Sequence, residues 1–181
     1  IGVGLVGSEM CIRDRNRQAL HPALRGSRDS FFPKDIMNEV TKQKKQMLKI
    51  AEGVRNGNIK SHSGKKYTSV LAIGIGGSDL GPRMSVKALN PFKSKIDVRF
   101  VSNIDPSDLI NVTADLDPSK TLIIVSSKTF TTVETLANAK AAFYWLAKNI
   151  GEIGAKNQQY AITSNFDSAK KFGFDATKIL L

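Results

Sequence analysis

Thr121-Leu122-Ile123-Ile124-Val125-Ser126-Ser127-Lys128-Thr129-Phe130-Thr131-Thr132-Val133 passes from an unbroken apolar run into a cluster of hydroxyls. Four successive aliphatic side chains with no polar alternation suit a strand over 121–126 covered on both faces. From about residue 133 to 150 the rhythm changes: Leu136, Ala139, Phe143, Leu146 and Ile150 recur at helical spacing. A buried strand, a polar turn and a long helix make the repeating unit of a parallel sheet, whose next strand is reached only by a crossover.

The same unit recurs to either side. Residues 70–75 and 97–102 read as strands followed by helices over 82–89 and 106–116, and a strand over 159–164 precedes a short helix over 166–172. Four alternations predict an α/β fold, a parallel sheet with right-handed crossovers and helices on both faces. Upstream, Ile36, Val40, Met47, Ala51 and Val54 predict an amphipathic helix over 36–55, stopped by Asn56-Gly57-Asn58. Residues 61–66 read as a polar linker. The expected organisation is an N-terminal helical segment over 15–66 and an α/β domain over 67–181.

Residues 1–14 do not share this patterning. They are apolar and Gly-rich at first, then broken by Glu9 and Asp14, with no positive leader of the kind a secretory signal carries. Residues 6–15 resemble translated sequencing adaptor, so residues 1–14 are expected to be foreign, and Cys11 is set aside with them.

Composition excludes several classes. The 181 residues, 41% hydrophobic and 24% charged, include no apolar run of membrane-spanning length. One cysteine allows no internal disulfide, and His21, His62 and Cys11 have no metal-ligand spacing, so neither a metal nor a cofactor is implied. His21 has no partner nearby in sequence and reads as structural. The net charge of +11 is concentrated in residues 34–66, with nine Lys or Arg against three acids. Without interleaved aromatics this run reads as a solvated helix face, not a nucleic-acid surface, although its field would steer a small anion.

In a parallel sheet, ligands sit beyond the carboxyl ends of the strands, which directs attention to three loops. Gly74-Ile75-Gly76-Gly77-Ser78-Asp79-Leu80-Gly81 lets backbone approach an anion closely, or is simply a tight strand-to-helix turn. It is not a dinucleotide fingerprint, because Asp79 stands where Gly or Ala is needed. Nor is it a P-loop, because Pro82 replaces the lysine. Around Ser126-Ser127-Lys128-Thr129, hydroxyls, one lysine and a helix N-terminus together suit a phosphate monoester. A capping role for Thr131 or Thr132 with Glu134 is compatible with that. In Ser102-Asn103-Ile104-Asp105-Pro106, Asn103 or Asp105 could meet a sugar hydroxyl, but an ordinary helix start is the favoured reading.

Residues 74–82, GIGGSDLGP, and residues 127–134, SKTFTTVE, together resemble the phosphoglucose isomerase family. Asn16-Arg17, Leu20-His21 and Ala23-Leu24-Arg25 resemble a further segment of it, with Pro22 a departure. The resemblance runs from about residue 15 to 181. It implies a sugar-isomerase (SIS) fold and carries substrate contacts onto Gly77, Ser78, Ser127, Lys128, Thr129 and Thr132. It also implies a longer cytoplasmic, homodimeric enzyme of glycolysis and gluconeogenesis that interconverts glucose 6-phosphate and fructose 6-phosphate through a cis-enediol(ate), without cofactor, nucleic acid or membrane. The family's glutamate base, its histidine and lysine, and its arginine have no counterpart here, so no catalytic residue is expected in this chain. They would belong to a second SIS domain after Leu181, and this part alone would be inactive. The alternative is a lone SIS domain that senses a sugar phosphate and regulates a partner. Asp79 disfavours a nucleotide-binding dehydrogenase.

Overall fold

The computed structural model describes residues 11–12, 17–18, 21–25, 32–89 and 95–180. The chain divides into two compact units, Ile1–Lys49 and Ile50–Leu181. In the first, β1 (Cys11–Ile12) pairs antiparallel with β2 (Arg17–Gln18), followed by α1 (His21–Arg25) and the start of α2 (Lys34–Asn56). Ala23 and Met37 are buried there, and Lys44 Nζ donates to the carbonyl of Leu24. Residues 1–10 and 13–16, most of the stretch expected to be foreign, lie outside the described residues, as does the side chain of His21.

The second unit alternates as the apolar rhythm predicts: β3 (Ser69–Ile73), α3 (Gly77–Leu89), β4 (Asp97–Val101), α4 (Pro106–Thr113), β5 (Thr121–Ser126), α5 (Val133–Asn157), β6 (Gln159–Ile162), α6 (Phe166–Phe172) and β7 (Ile179–Leu180). These strands form one sheet in the order β4-β3-β5-β6-β7, parallel throughout. From β3 the chain goes one way to β4, then returns past β3 to β5 and continues. Its direction therefore reverses between β3 and β5, which are hydrogen-bonded neighbours in register from Ser69 opposite Thr121 to Ile73 opposite Val125.

Both sheet faces are covered, as the unbroken strands require. On one face Leu71, Ile73, Ile123, Val125 and Ala161 pack with Leu109 of α4, Ala139, Ala142 and Leu146 of α5, and Ala169 of α6. On the other, Val70, Leu122, Ile124 and Tyr160 meet Ile50 and Val54 from the end of α2. Small alanines on the inward side of α5 let a long helix lie close over the sheet. Gly57, at φ 78°, ends α2 where the Asn-Gly-Asn signal predicts.

Several boundaries differ from expectation for local reasons. Helix α3 starts at Gly77, not Pro82, because Gly76 at φ 56° turns the chain and its carbonyl accepts from Asp79 N at 3.0 Å and Leu80 N at 2.8 Å. Pro82 thus lies inside the helix. Helix α5 runs on to Asn157, but Gly151, at φ 76° and ψ 163°, breaks it into two helical segments. Residues 61–66 form a closed turn, not a linker. Ser61 N donates to Lys65 O, Gly64 N donates to Ser61 O, both at 2.9 Å, and Lys60 bridges Lys66. The fully buried Gln158 anchors this turn by accepting from His62 N at 3.0 Å while donating to the carbonyls of Pro118 and Thr121 at 2.9 and 2.8 Å. Strand β7, two residues long, is too short to show a period in sequence.

Candidate functional site

The reversal between β3 and β5 opens the crevice where a parallel sheet receives ligands. Two of the three loops singled out by sequence leave these adjacent strands side by side. In the β3 loop, Gly74 N donates to Val101 O at 3.3 Å, and a Cβ at Gly74 would stand 2.8 Å from the backbone oxygen of Ser78. Only glycine allows that approach. Gly77 is exposed, with open space where a Cβ would point, and Ser78 is half-buried. The N–H groups of Ser78, Asp79 and Leu80 are engaged by the carbonyls of Ile75 and Gly76, so much of this loop's donor capacity closes the turn.

Asp79 is buried and holds Arg83 through its Nε at 3.1 Å to both carboxylate oxygens and Nη2 at 2.9 Å. Arg83 also donates to Ser102 Oγ at 3.3 Å and lies over the Phe100 ring, 5.1 Å from its centroid. The carboxylate that breaks the dinucleotide pattern therefore orients Arg83, which reaches from α3 to Phe100 in β4 and Ser102 just after it.

In the β5 loop Ser127 is buried. Its N–H donates to Ile162 O at 3.0 Å and its Oγ accepts from Phe130 N at 3.2 Å. Lys128 and Thr129 are exposed. Phe130 is buried at φ 53°, a left-handed conformation costly for an aromatic residue. Edge-on packing against Phe172 and Phe174, at centroid distances of 5.7 and 5.6 Å, holds it there. Thr132 stands at the N-cap of α5, yet its side chain makes no capping bond, and Thr131 Oγ1 donates to Thr129 Oγ1 at 2.8 Å. The side-chain cap that the capping reading calls for is not made. In the first turn of α5, Thr135 is 2% exposed and its hydroxyl has no partner among the described residues.

The third loop is a helix start. Asp105 caps α4 by accepting from Ser107 N at 2.9 Å, and hydrogen bonds from Ser107 lower its pKa. Asp108 accepts from Ser102 N and Asn103 N at 3.2 and 3.0 Å, and Asn103 O accepts from Asn138 Nδ2 at 2.8 Å.

A fourth loop, unmarked by the sequence reading, braces the β5 loop. Lys128 O accepts from Ser164 N at 3.1 Å, Ser164 Oγ at 2.7 Å and Thr163 Oγ1 at 3.1 Å, while Thr129 O accepts from Asn165 Nδ2 at 3.0 Å. The signal available was a Thr-Ser-Asn run after the fourth strand, chemically like the one after the third. A hollow of about 530 Å³, lined by Lys140, Phe143, Tyr144, Lys171 and Phe172 among others, lies apart from these loops along α5 and α6.

Among the described residues no group of His, Cys, Asp and Glu could hold a metal ion, and no helix is long and apolar enough to cross a membrane. The arrangement offers hydroxyls, an exposed lysine and a helix N-terminus without a side-chain cap to an anion at the crevice.

The chain is 46% identical over 172 residues to a glucose-6-phosphate isomerase of Caulobacter sp. (strain K31), covering 93% of this chain and 32% of that relative. It is 40% identical over 180 residues to the one from Deinococcus deserti, covering 97% and 33%. A crystal structure of a glucose-6-phosphate isomerase from Chlamydia trachomatis superposes with a TM-score of 0.70 at 30% identity, over 91% of this chain and 30% of that one. The chain thus spans about a third of the length of the curated relatives it matches. The sequence model described as Phosphoglucose isomerase matches residues 5–181, and on these matches the chain belongs to the phosphoglucose isomerase family.

Proposed function

We propose that this chain is the sugar-phosphate-binding part of an aldose–ketose isomerase that interconverts glucose 6-phosphate and fructose 6-phosphate. One observation carries the proposal: the hydroxyl- and lysine-bearing β5 loop and the glycine loop of β3 leave hydrogen-bonded neighbouring strands at the point where the sheet's connections reverse. In this reading Ser127, Lys128, Thr129 and Thr132 hold the phosphate group, and Gly77 and Ser78 contact the ester from the other side. The phosphate dianion takes hydrogen bonds from the hydroxyls, charge from Lys128 and the partial positive charge of α5. The relatives' names favour an isomerase over a regulatory sensor.

Residues 15–66 then form an N-terminal helical segment and residues 67–181 the first SIS domain of a longer cytoplasmic homodimer. The base that moves the proton between C1 and C2 belongs to the rest of that protein, so this part binds substrate without turning it over.

Calorimetric titration of the intact protein with glucose 6-phosphate, glucose, NAD and ATP tests the proposal. Glucose 6-phosphate is expected to bind, and glucose to bind far more weakly for lack of the dianion. Tighter binding of NAD or ATP than of the hexose phosphate would overturn it.

A further inference from the structure

We infer that Asn165 is a positioning residue for the β5 loop, holding that loop's peptides in the orientation the phosphate meets; the inference rests on the phosphate site proposed above. Asn165 joins two elements through one planar amide. Its Oδ1 accepts from Ser168 N at 3.1 Å and caps α6, while its Nδ2 donates to Thr129 O at 3.0 Å, 36 residues back along the chain. Its own N–H donates to Thr163 Oγ1 at 3.0 Å, and that hydroxyl donates to Lys128 O.

The consequence follows from peptide geometry. A trans peptide is planar, with its C=O and the following N–H pointing in opposite directions, and no cis bond occurs among the described residues. Strand β5 lies between β6 and β3. Carbonyls of Lys128 and Thr129 drawn to the β6 side send the N–H groups of Thr129 and Phe130 the other way, away from the 163–165 loop. The Phe130 N–H is received by Ser127 Oγ. Ser127 therefore accepts from its own loop, and its hydroxyl proton stays available for an anion. Asn165 acts through Thr129, Phe130 and Ser127, not by touching the ligand.

Asn165→Ser in the intact protein separates capping from positioning. Serine still accepts from Ser168 N–H as an N-cap, but is too short to reach Thr129 O. Asn165→Asp, which also caps, is the second variant and covers a failure of the first to fold. Dissociation constants for glucose 6-phosphate and inorganic phosphate are read by calorimetry, alongside KM, kcat and thermal midpoint. The expected result is a rise of roughly three- to tenfold in both dissociation constants and in KM, with kcat within about twofold, as for loss of one neutral hydrogen bond. If the folded variants keep wild-type affinity for both anions, or lose only thermal stability, Asn165 is merely a helix cap and the inference is wrong. Lys128→Ala, run in parallel, tells which reading fell. Weakened binding there leaves the phosphate site standing without the positioning role, whereas unchanged binding in every variant removes both.

Discussion

Lys128 and Thr129 stand exposed between Ser127 and Phe130, both buried. The peptide on either side is anchored, so these two side chains can turn to a ligand without disturbing the core. Lys128→Ala is expected to weaken a phosphate monoester by about 1.5–3 kcal/mol, the range for hydrogen bonds to charged groups. Its folding stability should change by no more than about 0.5 kcal/mol, as for an exposed side chain. Calorimetry and urea unfolding of the same samples measure the two. Thr135 is the opposite case, a buried hydroxyl with nothing to bond among the described residues. Thr135→Val keeps the shape and removes the polar atom, so unfolding should cost up to about 1 kcal/mol more in urea. The hydroxyl cluster itself was legible, because four of its members sit within six consecutive residues of the sequence. Asn165 was not, since its partner is 36 residues away and no local pattern records that bond.

At the scale of elements, the strand-to-helix turns carry the information and the helix interiors carry little. Gly74→Ala should destabilise by roughly 1–3 kcal/mol, because its Cβ would press on backbone at Ser78, which has no rotamer to yield. Gly77→Ala meets open space and should be near neutral for folding. If the phosphate site is as proposed, that same methyl would crowd the ligand, and calorimetric affinity should fall while the urea midpoint holds. Asp79→Ala should cost about 2 kcal/mol in urea unfolding. That is less than the usual loss for a broken buried pair, because Arg83 is 33% exposed and water partly replaces its partner. Strand β5 and helix α6 were read to the residue, since an unbroken apolar run and a short helix with clear stops leave little choice. The start of α3 was not legible, because proline at 82 suits a first turn and no local signal marked Gly77 as helical. Gly76 turned the chain earlier, and a helix already nucleated carried Pro82 inside it.

For the molecule as a whole, the parallel sheet was legible because its strands lack polar alternation, whereas the strand order was not, since it depends on which crossover goes which way. Acid sensitivity belongs at this scale too. Hydrogen bonds from Arg99 hold the Asp115 carboxyl at about 2, below its ordinary 3.8. A depressed carboxylate contributes stability fully above its unfolded value and loses it as pH falls through the folded one. The midpoint difference between wild type and Asp115→Asn should therefore be constant above pH of about 5 and close as pH approaches about 2; a difference that persists at pH 2 would assign the effect elsewhere. Phe130 carries one last implication. Its left-handed bend is imposed by two rings downstream, Phe172 and Phe174, and not by any preference of its own. Selection acting on those distant aromatics can therefore reshape the proposed anion site while every residue inside it stays unchanged.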